Sequence, residues 1–461
     1  MEIGSEEKNN SQNHYYKKSI NDLPLPLISD ILEFLQPKEL AVVCCVSTLL
    51  NRLASENGVW KEAYCDRWTS PNDAANRSWK EIYVEREFRS RTFLGKYKVE
   101  TLHGHTEAVR AVFLLSSANL IFTSGYDSVL RMWNAECGLL IASSSSLNCT
   151  IRAISADSKL LVVGGTDGFV QGWRVVCGLP HLFDLSGKEE ELGFRVWEHH
   201  GPISSLAMDS TRIYSGSWDM TVRIWDRVSL RCLEVLIHND WVWAVAPHFS
   251  IVATSSGPDV CFWSSVDGSM VGSIAGAHTG NTYALTMSHT GNYLFTGGEE
   301  GAIHMYEIVS LGAQKVSKVA YWIPHTGAVY SLAFEFPWLV SASSDGRLSL
   351  IDVRKLVKER GRCGKGAEAP QRMLNGFGPN LFSVAIGADR VICGGEGGVV
   401  RMWDFSESLE GERRAMALKA LRSERRKARK KNRAGHCSLA ANLSPERDAT
   451  QKLEICGRVR S

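Results

Sequence analysis

Thr123-Ser124-Gly125-Tyr126-Asp127 followed by Arg131-Met132-Trp133-Asn134, and Ser215-Gly216-Ser217-Trp218-Asp219 followed by Arg223-Ile224-Trp225-Asp226, are two copies of one pattern. Weaker copies end at Trp173, Trp263, Tyr306, Ile351 and Trp403, so the pattern occurs seven times between Leu102 and Asp404. Successive endpoints lie 40, 52, 38, 43, 45 and 52 residues apart. A repeat of this length, with room for four short strands, reads as a β-propeller blade. One blade cannot bury its own faces, so the repeats are expected to close into a single ring. Such a ring is a platform, which points to binding before chemistry.

Spacing inside each unit is tighter still. The acid precedes the endpoint by six positions in Asp127/Trp133, Asp167/Trp173, Asp219/Trp225, Glu300/Tyr306 and Asp345/Ile351. A fixed offset fits a tight turn between two strands, where an insertion would shift the register. Four residues before the acid stands a hydroxyl at Thr123, Ser215, Thr296 and Ser341, with His105, His199, His278 and His325 upstream in the same blades. These residues, with Gly104-His105 and the pairs Trp225-Asp226 and Trp403-Asp404, resemble the WD-repeat family. The resemblance implies a buried hydrogen-bonded network of His, Asp, Ser/Thr and Trp. Such a network is physically reasonable, because a buried indole N–H and a buried carboxylate both need partners. The same residue types could suggest a Ser-His-Asp hydrolase, but a catalytic triad occurs once and this set recurs at blade spacing. Blades two and seven depart from the pattern: blade two has Val163 for the hydroxyl and no histidine, and blade seven has Phe377 in the histidine's place. They are expected to be the softest blades.

Strand-forming sequence from Phe93 to Leu102 is expected to supply the outer strand of the last blade and so cover an exposed edge. The two long intervals hold Cys177–Arg195 and Arg354–Arg372, read as loops on the face opposite the histidine-bearing turns.

Composition sets limits. The 461 residues exceed one ordinary domain, and 44% hydrophobic content with 14 tryptophans requires a large core. The first 19 residues lack an apolar stretch, so no leader is expected, and no run reaches membrane-span length. None of the twelve cysteines forms a Cys-x-x-Cys pair, so no metal and no cofactor are expected, and a reducing compartment is. No phosphate loop or nucleophile motif supports an enzyme.

Ahead of the repeats the apolar period changes to that of a helix. Leu23, Leu27, Ile31 and Phe34-Leu35 make one stripe, and Leu40, Val43, Val46 and Leu50 a second. Pro24, Pro26 and Pro37 mark helix starts. The run from Leu23-Pro24 through Leu27, Ile31, Leu32, Leu35, Leu40, Val46 and Leu53 to Trp60 resembles an F-box. The resulting division is a disordered tail at 1–19, an F-box at 20–66, a helical connector at 67–91, a propeller at 92–406, a basic, possibly helical segment at 407–434 and a disordered tail at 435–461. The expected fold is therefore mainly β, a seven-bladed WD-repeat propeller preceded by a small three-helix F-box and a helical connector. This layout is similar to that of the F-box/WD-repeat substrate receptors. The resemblance implies a Skp-family adaptor and a cullin as partners within an SCF-type ubiquitin ligase, with no bond chemistry by the receptor itself. It assigns adaptor contacts to Leu23, Pro24, Leu27, Ile31, Leu32, Leu35, Leu40, Val46, Leu53 and Trp60.

In WD-repeat propellers ligands meet the face that holds the inner-strand starts and the turn acids. Alignment on the histidines places Arg110, Arg152, Trp243, Tyr283, Tyr330 and Phe382 at those starts, with Tyr126, Thr166, Trp218 and Glu299 at the turns and Trp241 alongside. Aromatic residues and arginine are the usual anchors of interfaces, so Arg110, Tyr126, Arg152, Trp218, Trp241, Trp243, Tyr283, Tyr330 and Phe382 are the expected contacts for a protein substrate.

Arg413–Arg433 holds eleven Lys/Arg and one acid, Glu424; without it the chain has 41 basic residues against 49 acidic. The leading reading is a nuclear localisation signal, placing the protein in the nucleus and/or cytoplasm. Nucleic-acid contact is the second reading, phosphate-driven because no aromatics interleave the charges. The rival to a ligase receptor is a WD-repeat scaffold of an RNA or chromatin assembly with this segment as its working end.

Overall fold

The structure, a computed structural model, describes residues 20, 23–68, 77–176, 182–185, 193–310, 315–354, 356, 372–376 and 378–441. The tail at 1–19, Phe377 and most of the two long intervals fall outside them. Seven four-stranded antiparallel sheets make up the ring, and in six of them the four strands are consecutive in the chain. The seven endpoints all lie on third strands, from Arg131–Asn134 in blade one to Val399–Asp404 in blade seven. In the last sheet the outer strand is Lys98–His103, paired from Lys98↔Asp404 to His103↔Val399. The ring is thus closed by its first strand. That strand begins later than the expected Phe93. Thr92–Leu94 is a 3-10 turn, and Phe93 is buried against Trp338 and Phe405, with ring centroids 5.9 and 4.9 Å away. Its burial in the core removes it from the edge.

The N-terminal unit comprises α1 (Leu25–Glu33), α2 (Pro37–Val43) and α3 (Thr48–Leu53), followed by α4 (Asn57–Cys65) and α5 (Trp79–Arg89). Local chemistry sets their starts. Gln36 and Glu39 form a capping box at α2, Ser47 accepts the Leu50 amide at α3, and Ser78 with Glu81 cap α5. Ile28, Leu32, Leu40, Leu50, Leu53, Trp60 and Tyr64 form one core with Trp68 and Tyr83. The Trp60 indole donates to the Ala54 carbonyl at 2.7 Å, so its burial leaves no orphan donor.

This unit is fastened to blade six. Trp68 Nε1 donates to the Phe336 carbonyl at 2.7 Å, Arg86 pairs with Glu335, and Trp338 Nε1 donates to the Ser90 carbonyl. A separate unit begins at Ser406. Its α6 (Ser406–Ala441) continues past the expected boundary at 434, and no proline interrupts it before Ala441. Among the described residues no helix is long and apolar enough to cross a membrane, and Cys44, Cys45, Cys137, Cys149, Cys232, Cys261 and Cys393 are free thiols.

Candidate functional site: the aromatic ring and the helical docking face

Blades one, three, five and six are braced by the His–acid–hydroxyl network that their sequence spacing implies. In blade one His105 Nδ1 meets Asp127 at 2.7 Å and Nε2 meets Thr123 Oγ1 at 2.7 Å, while Trp133 Nε1 donates to the same hydroxyl at 2.8 Å. In blade three His199 bridges Asp219 (2.8 Å) and Ser215 (2.7 Å), and Trp225 donates to Ser215 at 2.8 Å. The pattern fixes the protons: the indole donates to the hydroxyl, the hydroxyl donates to Nε2, and Nδ1–H donates to the carboxylate. Burial works to raise the Asp127 pKa, but hydrogen bonds from His105, Arg131 and the Val129 amide bring it down to about 2. The same balance, with His199 and Thr221 as donors, lowers Asp219. Blades five and six repeat the scheme through His278–Glu300 and His325–Asp345.

Blade four holds a histidine that the sequence reading missed. His238 Nε2 lies 2.8 Å from Thr254 Oγ1, to which Trp263 donates at 3.0 Å. Its signal was present, since His238 precedes Thr254 by the same 16 residues that separate His199 from Ser215. From Thr254 to Trp263 the chain is one residue shorter than from Ser215 to Trp225, so no acid falls at the usual offset from either end, and that hid the pattern. In blade two Cys149 lies beside Asp167, which raises its thiol pKa after burial as the larger cause.

These braces position a ring of side chains at the end where the inner strands begin. Every inner strand carries a register shift across its second residue: Arg110, Arg152, Ser204, Trp243, Tyr283, Tyr330 and Phe382 are each skipped by the ladder. A bulge re-aims the extra side chain. Here the same bulge recurs in all seven blades and delivers the second residues to one another.

Trp243 packs on Tyr283 at 4.7 Å, Tyr283 on Tyr330 at 5.6 Å and Tyr330 on Phe382 at 5.7 Å. Arg110 lies over Phe382 at 4.1 Å and over Tyr126 at 6.0 Å. Arg152 lies over Trp218 at 4.3 Å, and Trp218 stacks on Trp241 at 5.0 Å and meets Trp243 edge-on at 5.5 Å. All nine residues expected at this face are therefore in one chain of contacts. Ser204, absent from that set, supplies the seventh position with a short side chain whose hydroxyl donates to the Val242 carbonyl at 2.6 Å.

The ring is short of acceptors. Arg110 Nε, Trp218 Nε1 and Trp243 Nε1 are buried with no hydrogen-bond partner among the described residues. Burial, followed by the charge of Arg110, pulls Arg152 down to about 10, and burial lowers Arg110 as well.

The helical unit divides its expected contacts into two groups. Leu23, Leu27, Ile31 and Val46 are exposed, as is Pro24, and Leu35 is half-buried. Leu32, Leu40, Leu53 and Trp60 are buried in the unit's own core, so they cannot contact a partner directly. Helical stripes mark apolar faces, and here one stripe serves both the interior and the surface. Leu25, Phe34 and Val42 join the exposed side, Phe34 at 89% exposure.

The fold and site thus define a class: a binding propeller whose ring is fastened to a small helical unit with an exposed apolar face. Residues 20–66 match the F-box-like family model, and 96–134, 194–226 and 317–352 match the WD domain, G-beta repeat model. An F-box/WD-40 repeat-containing protein of Arabidopsis thaliana is 55% identical over 93% of this chain and 84% of its own length. The chain belongs to the F-box/WD-40 repeat-containing protein family. More distant is cilia- and flagella-associated protein 52 of Mus musculus, 25% identical over 50% of this chain and 36% of that protein. The solved WD40 β-propeller domain of Doa1 superposes with a TM-score of 0.56 at 20% identity, covering 68% of this chain and 98% of that domain, a likeness of fold alone.

Proposed function

We propose that the chain is the substrate-recognition subunit of an SCF-type ubiquitin ligase. Its F-box binds a Skp-family adaptor, linked to a cullin, and the ring of the propeller holds a protein substrate. The receptor supplies proximity rather than bond chemistry, raising the effective concentration of substrate lysines at the charged transfer enzyme. The observation that carries this reading is the pairing of two separate interaction faces on one fastened body: the exposed apolar set Leu27, Ile31, Phe34 and Val46, and the aromatic ring at the propeller. The hydrogen bonds at blade six hold the spacer firm, which keeps that effective concentration from being diluted.

The second reading, a WD-repeat scaffold in an RNA or chromatin assembly, draws on α6, where Arg413, Arg414, Lys419, Arg422, Arg425 and Arg426 are exposed. On the ligase reading we assign the same helix to nuclear import. Size exclusion and calorimetry with a Skp-family adaptor separate the two. A stoichiometric complex that is lost in Leu27→Ala/Ile31→Ala supports the ligase receptor. A folded chain that binds no adaptor refutes it.

A further inference from the structure

The ring has a polarity that its aromatic content conceals. On blades one and two, the guanidiniums of Arg110 and Arg152 have their faces against Phe382 and Trp218, and their edges meet no carboxylate among the described residues. Two half-buried like charges without a counter-ion are costly, and an anion between them would relieve both. On blades four and five the charge reverses. Asp240 is exposed beside Trp241, accepting that residue's amide at 2.7 Å, and exposed Glu299 accepts the Asn281 amide at 3.0 Å next to Tyr283. Between the two poles lie Trp218 and Trp243, apolar faces whose buried indole N–H groups await acceptors such as backbone carbonyls.

We propose that this ring takes an extended, unmodified segment of a partner protein, with an acidic residue set between Arg110 and Arg152, a basic residue toward Asp240 and Glu299, and a bulky apolar side chain between them on Trp218 and Trp243. The proposal rests on reading this face as the one that holds substrate. A phosphate dianion fits less well, because two arginine edges fall short of the larger cationic cluster that recognises a phosphorylated residue. A carboxylate needs no more than the two arginine edges. The unsatisfied indoles favour an extended backbone over a helix, since a helix keeps its carbonyls for itself.

The test is a selection of short, genetically encoded and therefore unphosphorylated peptides against the full chain, followed by affinity measurements on one recovered peptide. Recovered sequences should combine an acid, an apolar residue and a base. Changing the peptide's acid to its amide should weaken binding about tenfold or more, as should Arg152→Gln in the protein, while Arg152→Lys should recover part of the loss. Glu299→Gln should relax the demand for the base alone. The peptide-side change reads the charge requirement without any risk to the protein's fold. Recovered peptides with no charge preference, or a phosphoserine version that binds tenfold tighter, would overturn the proposal. Adaptor binding measured on the same preparation keeps the outcomes apart: a peptide signature without adaptor binding sinks the ligase reading and leaves the ring's selectivity standing.

Discussion

Trp68 donates its indole N–H to the carbonyl oxygen of Phe336 at 2.7 Å, across 268 residues of sequence. The Phe336 ring is also edge-on to Trp68 at 5.9 Å, and Arg67 lies over it at 5.3 Å. A helical unit whose own core is small gains from leaning on a larger one. Trp68→Phe keeps most of the ring and loses the hydrogen bond, so it should cost about 1 kcal/mol. Trp68→Ala, at a site 3% exposed, should cost about 3–5 kcal/mol. Hydrogen exchange should show the loss in α4 and α5 while inner-strand amides of blades one to four keep their protection. Uniform loss across the ring would mean that the junction supports the whole fold rather than one unit.

Ser215 stands between two buried donor–acceptor needs, those of Trp225 Nε1 and His199 Nε2. Ser215→Ala leaves both unpaired and should destabilise by about 2–4 kcal/mol. Arg231→Gln, at an exposed position in the same blade, is the control and should stay within about 0.5 kcal/mol. Denaturant unfolding of both variants checks the contrast.

Stability should fall in mild acid. Burial lowers His238 from 6.5 to about 4, with a weaker opposing effect of the Leu236 carbonyl, and its partners are Thr254 and that carbonyl rather than an acid. Above pH 6.5 both folded and unfolded chains leave it neutral. As pH drops through 6.5 the unfolded chain takes up a proton that the fold refuses until about pH 4, so stability is lost across that window, by about 3 kcal/mol at its foot. His304 is lowered to about 4 by burial and then by His278, and steepens the same slope. Asp127 works lower down: its carboxylate stabilises the fold above 3.8, and that contribution is lost as pH falls toward about 2. Melting temperature measured from pH 7 to pH 5 should decline, and more shallowly in His238→Gln. A wild-type curve that is flat over that range would contradict the assignment.

The fold was legible because its repeat is a spacing, and spacing survives substitution. His105, Thr123, Asp127 and Trp133 announce a blade at fixed offsets, and blade four could be found through Trp263 even though its turn is one residue shorter and has no acid at the usual offset. Ring residues such as Tyr283 and Tyr330 could be placed by counting from the histidines. What could not be read was their mutual contact, because that depends on a bulge repeated in every inner strand, and no residue type marks a bulge here. Burial within the helical unit was equally hidden. Ile31 and Leu32 are neighbours on a helix with the same hydropathy, yet one is exposed and the other is core. Only the packing of α1 against the other helices decides between them.

That division gives a sharp prediction for the docking face. Phe34 is 89% exposed, and Leu40 is fully buried in the same unit. Phe34→Ser removes apolar surface from water contact alone, so the fold should be unchanged within about 0.5 kcal/mol, while adaptor affinity should drop about tenfold or more if the exposed set is the contact surface. Leu40→Ala should do the reverse in origin: a core cavity costs about 2–5 kcal/mol, and any loss of adaptor binding should track unfolding of the unit and be restored by lowering the temperature. Calorimetric titration paired with circular dichroism at two temperatures tells them apart. Equal loss of fold in both variants would show that Phe34 belongs to the core of the folded unit in solution.

The ring's closure offers the last comparison. Leu102, 3% exposed, sits on the first strand and faces Val400 across the pairing that joins the two ends of the propeller. Leu102→Ala should cost about 2–4 kcal/mol through the cavity it leaves. Because the strand it weakens is the only one in its sheet drawn from ahead of blade one, the loss should appear first as exchange of the Lys98–His103 and Val399–Asp404 amides. Closure is also what brings Arg110 of blade one against Phe382 of blade seven, 4.1 Å from guanidinium to ring. The same variant should therefore weaken ligands of the ring on the Arg110 side, while those held by Trp243 and Tyr283 are spared. Peptide affinity measured before and after the exchange-sensitive opening would show the two effects rising together; affinity unchanged while the clasp exchanges freely would mean that the ring holds its contacts without it.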